Sequence, residues 1–250
     1  MVNYRKLVIL IGLLVSSYSY AFDWPNITAK SWLVTDDQGH VINGDNPDQL
    51  RSIASITKLM TVMVVLDAQQ ELSERITMFT RQQLIEMAVV HSDNKASRLL
   101  CENFPTGSHG CIQAMNLKAK LLGMPKTSFI EPTGLSVMNV STATELVKLV
   151  QAASKYPEIV RASQMSEVRI EIKKRWFVFK NTNPIIGKRH KFIVSKTGYI
   201  NASGGCIVMM LDTDIGNRIV IVLGSKNTHT RIPEAEFIFE NIKEKNIRDK

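Results

Sequence analysis

The apolar residues of the chain follow two rhythms: short β-branched and aromatic runs stand towards both ends, and helical spacing fills the middle. Residues 31–35 predict a strand, 36–39 a turn and 40–42 a returning strand, so an antiparallel hairpin opens the fold. Residues 59–66 are apolar on every side, the pattern of a helix inside a core. Helical spacing recurs over 81–90, 111–122 and 143–153. Gly123 and Pro125 stop the second of these, and Ser141 or Thr142 can cap the third.

The last third changes character. Residues 167–172 alternate strictly, as a half-buried strand does. Residues 191–195, 206–211 and 218–223 read as further strands, with a turn at 214–217 between the last two. Residues 233–245 predict a final helix with Ala235, Ile238, Phe239 and Ile242 on one face. The expected architecture is an α/β fold of the α+β type. The N- and C-terminal strands join in one antiparallel sheet flanked by helices, and a helical subdomain covers 69–160.

At 250 residues the chain suits one large domain. Its start has the three parts of a secretory signal: Arg5 and Lys6, an apolar run over 7–15, and the small-x-small site Ser19-Tyr20-Ala21. Cleavage after Ala21 would leave a single domain over 22–250 and lower the formal charge from +8 to +6. The apolar run is short for a bilayer span, though an uncleaved anchor stays open. The expected compartment is the periplasm.

The basic excess is scattered over short clusters, Lys173-Lys174-Arg175 and Lys188-Arg189-His190, which read as solvated loops and hairpin ends. Weak attraction to an anionic wall or membrane surface fits an exported chain better than nucleic-acid binding. Of the three cysteines, Cys101 and Cys111 flank a turn-rich loop, and a disulfide closing it suits an oxidising compartment. A metal site from Cys101, His109 and Cys111 is the alternative, without an evident fourth ligand. Cys206, inside a strand, reads as a buried thiol. No metal and no cofactor is expected.

The chemistry gathers on three short boxes. In Ser55-Ile56-Thr57-Lys58 the serine and lysine stand one helical turn apart and share a face. A serine hydroxyl is a weak nucleophile without an adjacent base, and lysine can serve once burial and a second cation lower its pKa. Ser92-Asp93-Asn94 ends one helix and begins another, and Lys196-Thr197-Gly198 lies on a strand. S-x-x-K, S-D-N and K-T-G in this order resemble the signature of class A β-lactamases and penicillin-binding proteins. The wording of 53–61, 114–120, 129–136 and 196–206 is similar to the low-molecular-mass penicillin-binding proteins. These are the serine-type D-alanyl-D-alanine carboxypeptidases and endopeptidases, and the endopeptidase branch is the nearer one.

That resemblance implies a β-lactamase/transpeptidase-like fold, action on peptidoglycan peptide stems and cross-bridges, and inhibition by β-lactam antibiotics. Ser55 would be the nucleophile, Lys58 its base and Ser92 a proton relay to the leaving amine. Asn94 would hold the substrate and Lys58. Lys196 and Thr197 would receive the substrate's carboxylate, with Lys196 as the second cation that depresses Lys58. Gly198 would let substrate lie along the strand edge, and the N–H groups of Ser55 and Tyr199 would form an oxyanion hole. No histidine fits a triad, and His91 reads as a structural residue at a helix end.

Three alternatives stay open: a carboxypeptidase, a class A-like β-lactamase using Glu131, and a catalytically weak penicillin- or muropeptide-binding module. The Glu131 context, Glu131-Pro132-Thr133-Gly134-Leu135, resembles the peptidase loop instead of the lactamase pattern. The third alternative is prompted by one departure. Ser55 and Ser92 are 37 residues apart, roughly twenty fewer than the resemblance implies. A segment bordering the groove is expected to be missing between Glu74 and Arg81.

Overall fold

The computed structural model describes residues 27–248, with side chains to 241; the signal-like segment 1–21 and the Ile242 side chain lie outside the described residues. A five-stranded antiparallel sheet forms the centre. Its strands are β1 (Ser31–Asp36), β2 (Val41–Asp45), β9 (Lys191–Ile200), β10 (Gly204–Asp212) and β11 (Arg218–Ser225), in the order β2-β1-β11-β10-β9. The two ends of the chain thus meet where β1 pairs with β11, Leu33 opposite Ile221.

The long apolar runs of β10 and β11 follow from a sheet covered on both faces, since alternate residues then serve two cores. Ile219, Ile221 and Leu223 face the larger core, and Val220 and Val222 the smaller one. The larger core holds helix α1 (Thr57–Asp67), from which every residue between Thr57 and Val65 is buried. Around α1 lie α2 (Arg81–Glu86), α3 (Asn94–Glu102), α4 (Gly107–Leu121), α5 (Ala143–Ala153) and α6 (Pro157–Gln164). α5 and α6 rest on the sheet itself, while α3 and α4 pack on α1. The smaller core is closed by α7 (Arg231–Arg248), which starts two residues earlier than expected, through Ala235, Ile238 and Phe239 of the expected face together with Ile232.

The caps follow ordinary chemistry. The Thr142 side chain accepts from the Glu145 N–H at the start of α5, and Thr80 with Gln83 forms a capping box on α2. Cys101 and Cys111 are joined in a disulfide that ties the end of α3 to the first turns of α4. That bond consumes both thiols and removes the metal-site alternative built on them. Cys206 is buried in β10, as its context implied.

Two features differ from the pattern along the sequence. The alternating strand β7 (Glu167–Ile172) does not enter the main sheet; it pairs with β8 (Arg175–Lys180) in a separate hairpin turned at Lys173-Lys174. The helix expected over 81–90 is α-helical only to Glu86, and Met87–His91 form a π-helical turn. Between α1 and α2 the chain is short and turns in a tight hairpin, β4 (Arg75–Ile76) with β5 (Phe79–Thr80). Its base is fixed by the buried Arg81, which donates to the Glu74 carboxylate at 2.9 Å. Another short pair, β3 (Arg51–Ser52) with β6 (Val140–Ser141), joins the approach to α1 to the approach to α5.

Candidate active site

Three elements converge. A 3₁₀ turn, Ala54–Ile56, leads into α1 and presents Ser55 half-buried, one turn ahead of the fully buried Lys58. Ala54 takes a left-handed backbone, φ 46°, sparsely populated for a residue with a Cβ and maintained only by surrounding structure. The surroundings are the loop 131–139. Asn139 accepts from the Ile53 N–H through its carbonyl and donates from its side chain to the Thr57 hydroxyl. Gly134, φ 83°, lies against the Ala54 carbonyl so closely that no side chain would fit.

Lys58 Nζ donates to Ser55 Oγ at 2.8 Å, to Asn94 Oδ1 at 2.8 Å and to the Thr133 carbonyl at 2.5 Å. Burial pulls its pKa down to about 7, while the Glu131 and Asp93 carboxylates oppose that fall. Of the two expected causes, burial and the second cation Lys196, burial is the one that lowers it. A lysine at this value is neutral in a large fraction near physiological pH and can accept the serine proton.

The second element is the π turn. It ends in Ser92, again left-handed at φ 61°, and Asp93 then caps α3 by accepting from the Ala96 N–H at 2.7 Å. This abrupt change aims Ser92 and Asn94 into the same space as Lys58. The third element is β9, an edge strand of the sheet. Lys196, fully buried, donates to Ser92 Oγ at 2.8 Å and to the Thr197 carbonyl at 2.9 Å. Burial, with Lys58 and Arg231 as neighbouring cations, holds its pKa well below the usual lysine range. Thr197 donates to the Thr182 hydroxyl at 2.6 Å.

Gly198 has a further reason to be glycine beyond leaving room for substrate. A Cβ there would stand 3.0 Å from the Ile53 carbonyl oxygen and the Ser55 nitrogen, so the serine turn would have to give by a few tenths of an ångström to keep its place against the strand. Tyr199, next on the strand, is partly exposed, with its hydroxyl on Asn201.

The structure therefore brings the predicted residues together as two hydrogen-bonded groups, Ser55–Lys58–Asn94 and Ser92–Lys196–Thr197, close enough for the Lys58 charge to act on Lys196, with Gly198 and Tyr199 following on β9. His91 stands outside them, its Nδ1 bonded to the Lys180 carbonyl at 3.0 Å and its ring edge-on to Phe179.

Two further residues belong to this architecture. Arg231, at the start of α7, donates to the Gly198 carbonyl at 2.9 Å, and its Nε has no hydrogen-bond partner among the described residues. No motif surrounds it, so only tertiary structure could reveal it. Glu131 is the other: its carboxylate accepts from the N–H groups of Thr133, Gly134 and Ser136, the Thr133 hydroxyl and the Asn139 side chain. It organises the loop that fixes Lys58 and Ala54, and these five donors occupy the oxygens a deacylating water would need.

The family described as D-alanyl-D-alanine carboxypeptidase, S11 among the peptidases, matches residues 19–79 and 71–227. The two stretches meet at 71–79, the place of the tight β4–β5 hairpin. A D-alanyl-D-alanine endopeptidase of Escherichia coli K12 is 37% identical over 237 residues, covering 84% of this chain and 76% of that protein. One of Pseudomonas aeruginosa is 34% identical over 233 residues, covering 84% and 75%. Penicillin-binding protein D2 of Listeria monocytogenes, solved with cefotaxime bound, superposes with a TM-score of 0.78 at 25% identity, over 86% of this chain and 98% of that one. Matched over most of its length by sequence and by fold, the chain belongs to the D-alanyl-D-alanine carboxypeptidase family of serine peptidases.

Proposed function

We propose that the chain is a periplasmic serine DD-peptidase that cuts peptidoglycan cross-bridges, an endopeptidase working through an acyl-Ser55 intermediate. The observation that carries this reading is Lys58 Nζ, buried and hydrogen-bonded to Ser55 Oγ in a site with a second buried lysine. The endopeptidase assignment is supported by the Escherichia coli and Pseudomonas aeruginosa relatives of that name. Export rests on the signal-like segment 1–21; among the described residues no helix is long and apolar enough to cross a membrane.

In acylation, Ser55 Oγ attacks the D-alanyl carbonyl and its proton passes to neutral Lys58 over 2.8 Å. The N–H groups of Ser55 and Tyr199 would receive the developing oxyanion. The leaving amine takes the Ser92 hydroxyl proton, which protonated Lys196 replaces over 2.8 Å. A substrate carboxylate approaching Lys196, Thr197 and Arg231 favours that charged form, because a nearby anion raises a lysine pKa. Water then attacks the acyl ester, its proton returning through Ser92 to Lys196 while Lys58 reprotonates Ser55. The sum is one amide bond hydrolysed.

The test is intact-protein mass spectrometry with benzylpenicillin, beside digestion of cross-linked muropeptide dimers. The expected result is a persistent adduct on Ser55 and conversion of dimers to monomers, both absent in Ser55→Ala. Rapid loss of the adduct with hydrolysed drug would mean a lactamase. A folded protein that forms no adduct would mean a binding module.

A further inference from the structure

The β7–β8 hairpin has a face that catalysis leaves unused. Its inner face is spent on the larger core through Val168 and Ile170. The register places Trp176 opposite Glu171 and Val178 opposite Arg169, so these four share the outer face. Trp176 is 67% exposed on that face; Phe177, opposite Ile170, belongs to the other face and is 44% exposed. Between 167 and 180 there are five basic residues against two acidic ones, and one of the acids, Glu167, is paired with Arg169 at 2.6 Å.

The placement is informative. Among the described residues the exposed large aromatics are Trp176, Phe177 and Tyr199, so all three stand on the hairpin or on the strand of the third box. The hairpin also runs directly into the site. The Lys180 carbonyl accepts from His91, which precedes Ser92, and the Thr182 N–H donates to the Val90 carbonyl. The Thr182 hydroxyl accepts from Thr197. From Lys180 to Trp176 the strand extends about 13 Å at ~3.3 Å per residue.

We infer that the outer face of the β7–β8 hairpin is a docking site for the peptidoglycan polymer, an extension of the cleft that holds a glycan strand and its carboxylate-bearing stems. This rests on the proposed peptidase function. An indole presents a flat apolar surface to the CH face of a pyranose ring, and the basic turn suits the carboxylates of neighbouring stems. Such a platform serves a polymer that continues beyond the cleft. A small soluble fragment, held at Ser55 alone, gains nothing from it.

The test compares two substrates in the full-length protein: insoluble sacculi and soluble cross-linked muropeptide dimers. Trp176→Ala and the double substitution Lys173→Glu/Lys174→Glu are exposed changes away from the catalytic cluster. The expected result is a fall of about five-fold in sacculus cleavage for Trp176→Ala, the size of one lost aromatic contact. Dimer cleavage and Ser55 acylation by benzylpenicillin should stay within about two-fold of the parent protein. Sedimentation of Ser55→Ala with sacculi should weaken on adding either change. An equal effect on both substrates, or none on sacculi, overturns the inference. So does a hairpin that loses binding to anionic phospholipid vesicles while sacculus binding is retained, which would make it a membrane contact. If the parent protein cleaves neither substrate, the peptidase reading fails, and the sedimentation arm still decides the hairpin.

Discussion

Lys58 and Lys196 are both buried, both lie in the same cluster and both hold a serine hydroxyl, yet their surroundings differ in one respect. Lys58 stands near two carboxylates, Glu131 and Asp93, which soften the effect of burial and leave its pKa about 7. The charges that act on Lys196 are cations, Lys58 and Arg231, whose repulsion adds to its desolvation. The lesson is that burial alone does not set a lysine's role. With carboxylates nearby it is poised as a base near neutrality; with cations nearby it is a vacancy for an anion.

The strongest way to break this contrast is to remove one lysine at a time. Lys58→Ala should lower Ser55 acylation by about 10²–10⁴-fold, the range for a general base, on a protein whose fold is checked by circular dichroism. Lys196→Ala should cost about 10²–10³-fold, because a buried partner of the substrate carboxylate is gone. That loss should fall on KM through the carboxylate and on kcat through the Ser92 relay, and should shrink for a ligand whose carboxylate is amidated. Equal losses with both ligands would show that Lys196 does not receive the carboxylate.

Glu131 sharpens the comparison. Glu131→Ala should reduce acylation by about 10²-fold, as the loop that carries the Thr133 carbonyl loosens by an ångström or so. Glu131→Gln keeps one acceptor and should recover part of the rate. It also removes a charge that supports protonated Lys58, so the pH at which activity rises should move below 7, a shift no purely structural role produces. A smaller effect is expected far from the lysines. Replacing Cys101 and Cys111 by serine should cost about 2–3 kcal/mol of stability, read by denaturant unfolding. Acylation at 25 °C should stay within about two-fold.

Much of this was legible in the sequence, for physical reasons. The three boxes are short and their roles depend on spacing within one turn or one strand, so residue identity carries the signal. β10 and β11 announced themselves because strands covered on both faces are apolar throughout. β8 did not, because Arg175–Lys180 is largely exposed and its basic and aromatic residues do not alternate. The π turn before Ser92 left no trace beyond a helical pattern, since its α-like spacing differs by one residue. Arg231 was invisible because it reaches Gly198 across the fold. The weight of burial against the second cation in the Lys58 shift was illegible for a related reason: sequence order shows which charges exist, and only packing shows which group is desolvated.

The most direct test of the account is the pH dependence of Ser55 acylation by benzylpenicillin, followed by intact mass from pH 5 to 10. Lys58 must be neutral to take the serine proton, and its folded pKa lies below the ordinary lysine value. The rate should therefore be low at acid pH, rise as pH climbs through about 7 and level off above it. A rate that rises only near pH 10, or one flat across pH 7, would show that Lys58 is not the base and contradict the account.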